Sequence, residues 1–121
     1  METQFKIKRA YAPQSPSDGF RVYIDRLWPQ GLSHQTFHYD LWDKDIAPST
    51  DLRKWFHADP ADRWEEFAEK YKAELKDSPA MAALVKQLQS KPVVTLLYSS
   101  HDSLHNNAVV LLNYLNQTQS L

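Results

Sequence analysis

Six residues in the last third of the chain, Val93-Val94-Thr95-Leu96-Leu97-Tyr98, run with no polar interruption beyond Thr95. A half-buried strand would alternate, so a continuous apolar run of this length predicts a central strand covered by helices on both faces. Its neighbours and its cover must come from the same 121 residues, which leave room for one core, so residues 1–121 are read as a single domain. Apolar residues make up 42% of the chain and charged residues 24%, enough to fill such a core.

Phe5 to Tyr11 and Phe20 to Leu27 are rich in strand formers, and Phe20, Val22 and Ile24 share one side by alternation. Phe37, Tyr39 and Leu41 alternate with His38, Asp40 and Trp42, which predicts a short third strand. Between the first two lies a turn-rich loop from Ala12 to Gly19. Helices follow, with marked starts. Ser49 caps a helix carrying Leu52, Trp55 and Phe56, and Asp59-Pro60 supplies an N-cap and a first-turn proline for the next. That second helix carries Trp64, Phe67, Tyr71 and Leu75 in one stripe, with Glu66 and Lys70 paired on its wet side. Ser78-Pro79 opens a third, with Met81, Leu84, Val85 and Leu88. Leu104, Ala108, Leu111, Leu112 and Leu115 define a last helix over 104–117. The expected fold is α/β: a single layered domain with a small, at least partly parallel sheet packed by helices.

Several function classes are excluded by composition. Without cysteine there is no thiolate nucleophile and no sulfur-ligated zinc. The two glycines, Gly19 and Gly31, cannot build a phosphate-binding loop or a dinucleotide fingerprint. A formal net charge of -1 gives no long-range pull toward nucleic acid, and no apolar run is long enough for a membrane span or secretory signal, so a cytoplasmic protein is expected.

In open α/β sheets ligands bind beyond the carboxyl ends of the strands. That rule selects Asp25-Arg26-Leu27-Trp28-Pro29-Gln30-Gly31 after the second strand and Ser99-Ser100-His101-Asp102 with His105-Asn106-Asn107 after the fourth. Arg26 can orient an anionic ligand while Asp25 accepts a proton or steers the guanidinium; the same pair also reads as a structural ion pair. Trp28 offers a wall for stacking, or a core residue. His105 offers an imidazole beside the two amides Asn106 and Asn107, groups that equally serve as helix caps. His101 and His105 stand four apart, a zinc spacing, but no glutamate completes it, and neither a metal site nor a cofactor is nominated. Ser99 and Ser100 lack the glycines of a nucleophile elbow. Lys44 and Asp45 can reach a cleft if their loop lies over the sheet; a solvated turn is the default.

The motifs Asp25-Arg26-Leu27-Trp28-Pro29-Gln30-Gly31-Leu32, Trp42-Asp43-Lys44-Asp45-Ile46-Ala47-Pro48-Ser49, Leu52-Arg53-Lys54-Trp55-Phe56-His57 and Leu96-Leu97-Tyr98 with Asp102 and His105-Asn106-Asn107-Ala108 occur in the order and spacing of a known family. Over roughly residues 5–116 the chain resembles the YeaO-like proteins of the domain-of-unknown-function family 488. The resemblance implies a small bacterial cytoplasmic α/β protein and supplies no reaction. The family pattern usually has arginine at the position of Gln30, so one guanidinium is missing from that loop. Longer relatives carry cysteines near the last strand, where this chain has Ser99 and His105-Asn106-Asn107.

Two functions are therefore expected. The first is a site for a small-molecule or nucleotide-like anionic ligand formed by Asp25, Arg26, Trp28, Tyr98, Asp102, His105, Asn106 and Asn107, with Lys44 and Asp45. In its catalytic version His105 is the general acid or base, oriented by Asp102 or Asp25, and Arg26 stabilises negative charge. The second is a non-catalytic regulatory or interaction module that uses exposed aromatics, or a patch of Arg9, Arg26 and Lys44, to bind a protein or nucleic acid, the near-zero net charge disfavouring nucleic acid.

Overall fold

The computed structural model describes residues 2–120. Four strands form one sheet: β1 (Gln4–Arg9), β2 (Phe20–Tyr23), β3 (Leu41–Trp42) and β4 (Val93–Tyr98). Their order is β1-β4-β2-β3 and every pairing is parallel, so the apolar run of β4 lies between β1 and β2. Four helices complete the fold: α1 (Thr50–Ala58), α2 (Pro60–Lys76), α3 (Pro79–Leu88) and α4 (Asn107–Ser120). The expectation of a parallel α/β sheet packed by helices holds, with the sheet wholly parallel.

The two faces of the sheet are covered differently, which corrects the expectation of helices on both sides. On one face Val22, Ile24, Val94, Leu96 and Tyr98 join a single apolar cluster with Leu52 and Phe56 of α1, Phe67, Tyr71 and Leu75 of α2, Met81, Leu84 and Leu88 of α3, and Ala108, Leu111 and Leu115 of α4. On the other face Tyr23 and Leu97 pack with Phe37, Trp28, Leu32, Tyr39 and Trp42 from the irregular chain around β3. Aromatic side chains bury so much area each that a loop can do here what a helix does opposite. Trp28 meets Phe37 and Trp42 edge-on, and Tyr23 meets Phe37 at 5.2 Å between centroids. Because Phe37 and Tyr39 serve this cluster, only Leu41 and Trp42 of the expected third strand pair with β2.

Towards the start of β2 the second face is polar. Asp18, 2% exposed, accepts hydrogen bonds from Lys8 Nζ at 2.8 Å and from the buried Arg21 guanidinium. Burial alone would raise the Asp18 carboxyl, but hydrogen bonds from Lys8, Ser15 and Arg21 bring it below its ordinary value. Thr95, the one polar residue of β4, donates to the Asp18 carbonyl at 2.7 Å and so leaves no unmet group inside the sheet. Gly19, at φ +64°, lets this turn pass β4, since a Cβ there would stand 2.4 Å from the Val93 carbonyl oxygen.

The starts of α1, α2 and α3 follow their sequence signals with one exception. Ser49 Oγ accepts from Leu52 N–H and Ser78 Oγ from Met81 N–H, each a regular N-cap. Asp59 makes no side-chain cap; its N–H donates to the Phe56 carbonyl instead, ending α1 one residue before Pro60 opens α2. The Glu66–Lys70 pair forms on the exposed side at 2.9 Å. No described helix is long and apolar enough to cross a membrane.

Candidate functional site

Parallel strands deliver their carboxyl ends to one edge of the sheet, so the segments after β1, β2 and β4 meet there. With α1, α2 and the start of α4 they enclose a cleft of about 610 Å³. Tyr11 comes from the segment after β1, Asp25 to Trp28 and Gln30 from that after β2, and Ser99 to Asp102 from that after β4. His105, Asn106 and Asn107 enter at the start of α4; Arg53, Phe56 and His57 come from α1, and Phe67 from α2.

Asp25 ties this region together. One carboxylate oxygen accepts from Ser99 N–H at 2.8 Å and Ser99 Oγ at 2.7 Å, the other from Asn107 Nδ2 at 2.7 Å, while its backbone carbonyl accepts from Trp42 Nε1. One side chain thus joins the tips of β2 and β4 to the first residue of α4. Charge-assisted bonds of this kind are stronger than neutral ones, and here they leave the carboxylate engaged on both oxygens.

The turn into α4 is built locally. Asp102 accepts from the N–H groups of Leu104 and His105 and faces His105 Nδ1 at 3.0 Å. The Leu104 N–H, then the His105 side chain, hold its carboxyl below the ordinary value. Asn106, 2% exposed, is the true cap: its Oδ1 accepts from Val109 N–H and its Nδ2 donates to the Asp102 carbonyl. The helix therefore begins at Asn107 and not at 104, and Leu104 is 70% exposed outside it. The His105 ring meets Trp64 edge-on at 5.1 Å. Ser99 Oγ is given to Asp25 and Ser100 Oγ accepts from Asp102 N–H; no described hydrogen bond joins either serine to His105.

The basic groups are less committed. Arg26 makes one long bond, 3.3 Å, to the Pro48 carbonyl. Neither Arg26 nor Arg53 stands among the described ion pairs, which are Lys8–Asp18, Arg21–Asp18, Lys70–Glu66 and His105–Asp102. Burial, with the nearby Arg53 charge, lowers the basicity of His57 against an opposing pull from Asp25. Across the cleft Arg9 donates to the Ser99 and Ser100 carbonyls and lies 4.7 Å over the Tyr11 ring, whose hydroxyl donates to the Gln30 carbonyl.

Of the residues nominated from sequence, Asp25, Arg26, Trp28, Asp102, His105, Asn106 and Asn107 line this cleft. Trp28 does so with a ring already stacked on His34 at 3.9 Å. Lys44, Asp45 and Tyr98 stand outside the lining. Lys44 lies over the Trp42 ring at 4.1 Å, Asp45 is held by its N–H to the Asp43 carboxylate, and Tyr98 is buried in the helical core. Arg53, His57 and Tyr11 were not nominated. Arg53 and His57 are four apart on α1, beside the buried Leu52 and Phe56, and the signal the sequence held for them is the Leu52-to-His57 motif of the family resemblance. Among the described residues no three His, Asp or Glu side chains converge as metal ligands.

Fold and cleft define an α/β protein with a hollow at the carboxyl edge of a parallel sheet, lined by Arg26 and Arg53 together with Asp25 and Asp102. The chain belongs to the DUF488-N3i family, the inactive DUF488-N3 subclade, whose pattern matches residues 4–120. It is 42% identical over 108 residues to uncharacterized protein YeaO of Escherichia coli, covering 89% of this chain and 93% of that one. It is 40% identical over 115 residues to uncharacterized protein Rv3073c of Mycobacterium tuberculosis, covering 95% and 96%. No solved structure matches it significantly.

Proposed function

We propose that the protein is a bacterial cytoplasmic binding domain for a small anionic ligand, held in the strand-end cleft without turnover. One observation carries this reading: Arg26 and Arg53 reach the same hollow from different elements, and neither has a carboxylate partner among the described residues. Two acids, Asp25 and Asp102, line the same hollow and keep their charge, but neither stands in ion-pair contact with an arginine among the described ion pairs. Asp25 is taken by Ser99 and Asn107, and Asp102 by its own turn and His105. A guanidinium favours carboxylate or phosphate through paired, planar hydrogen bonds.

Binding without chemistry is favoured over the catalytic version by three features. The described hydrogen bonds of the Ser99 and Ser100 hydroxyls join them to the Asp25 carboxylate and the Asp102 N–H and not to His105, the Asp25 carboxylate is engaged on both oxygens, and the matching subclade is described as inactive. A ligand that binds only the folded state raises the melting temperature by mass action, so thermal shift with inorganic phosphate and simple carboxylates tests the reading. Stabilisation that disappears in Arg26→Ala and Arg53→Ala is the expected result. Stabilisation indifferent to both substitutions, or none in the wild type, would remove the proposal.

A further inference from the structure

Two guanidiniums account for an anion, but not for the rest of the cleft. Its buried wall is apolar and aromatic: Phe56 and Phe67 both line it and stack on each other at 4.2 Å. Its rim is apolar as well. The large apolar side chains left exposed among the described residues are Tyr11 at 38%, Leu27 at 64% and Leu104 at 70%. Tyr11 and Leu27 line this cleft, and Leu104 belongs to the 102–105 turn beside it. Exposed apolar groups scatter singly over an ordinary surface; gathered at one mouth, they mark a place where apolar area is covered by something else. A bare inorganic ion covers none of it.

We infer that the occupant is a nucleoside monophosphate: its phosphate between Arg26 and Arg53, its flat base on the exposed ring of Tyr11. The inference rests on the anion-binding reading and extends it. Guanidiniums from separate elements suit a phosphate, whose several oxygens can serve both, better than a single carboxylate that one fork already satisfies. At the Tyr11 end the cleft is lined by Gln30, Ser100 and His101. These are groups that both donate and accept, as the edge of a base requires and a hydrocarbon ring does not. A hollow of about 610 Å³ lies within the range that takes a ligand of this size.

Calorimetric titration of the full chain with inorganic phosphate, AMP, UMP, adenosine and uridine separates this inference from the reading beneath it. The nucleotides are expected to bind about tenfold or more tighter than phosphate, the increment that stacking of one base supplies. Tyr11→Ala should remove that advantage and leave phosphate binding as it was, Tyr11→Phe should keep it, and Arg53→Ala should weaken phosphate and nucleotides together. If phosphate and nucleotides bind alike and Tyr11→Ala changes nothing, the nucleotide inference fails while the anion site stands. The nucleotide inference fails in the same way if Tyr11→Phe loses as much as Tyr11→Ala. If neither phosphate nor any nucleotide binds, or if nucleosides bind as tightly as nucleotides, both readings fail.

Discussion

Strand β2 has an arginine near each end, and the two have opposite circumstances. Arg21, within the strand, is buried and meets Asp18, with its Nε donating to the His38 carbonyl and Lys8 bonding the same carboxylate. Arg26, just past the end, is exposed, holds a single long bond to Pro48, and shares its cleft with Arg53. The fold pairs the first guanidinium directly with a carboxylate and leaves the second without one among the described ion pairs. A buried guanidinium without a partner would not be tolerated, whereas one at a solvated mouth can wait for an anion from outside. Charge is structural at one end of the strand and available at the other.

The largest expected effect lies at the structural end. Asp18→Ala leaves Arg21 buried without its carboxylate and should cost about 3–5 kcal/mol of stability by chemical denaturation. The pH dependence has the corresponding sign. The Asp18 carboxyl is lowered in the folded protein, so its contribution is present above the ordinary carboxylate pKa and is lost as pH falls through the lowered folded value. The wild type should therefore lose stability in acid, and Asp18→Ala should lose less over the same range.

Asp25 tests the boundary between the two regions, since it lines the cleft yet is bonded like a structural group. Asp25→Ala strands the Ser99 N–H and Asn107 amide and should cost about 1–3 kcal/mol. Unchanged stability together with an altered ligand response would place Asp25 among the available charges instead. Asn106→Ala, which removes the cap of α4, should cost about 1 kcal/mol. Arg26→Ala and Arg53→Ala should change the stability of the free protein by no more than about 0.5 kcal/mol, the range of ordinary surface substitutions.

How much of this was legible in the sequence follows from how local each cause is. The β4 run, the Ser49 and Ser78 caps and the stripes of α2 and α3 are set by neighbours a few residues away, and the structure has them where the pattern put them. Leu104 misled because its spacing suits the stripe of α4, whereas Asn106, with side-chain bonds forward and back, decides where the helix begins. Phe37 and Tyr39 alternate as strand residues do, but aromatic packing with Trp28 and Trp42 outweighs pairing with β2. The strand-end rule selected the segments after β2 and β4 because it depends on direction alone. Arg53 and His57 were not selected, since their approach to those strand tips depends on how α1 packs, and no spacing encodes that.

The most direct test is calorimetric titration of inorganic phosphate into the wild type and into the Arg26→Ala/Arg53→Ala double variant, with stability measured in parallel. The account predicts a single site in the wild type and none in the double variant, whose unfolding midpoint stays close to that of the wild type. Equal phosphate binding by both proteins, or a double variant that unfolds as readily as Asp18→Ala, would show that these guanidiniums are not held in reserve for a ligand.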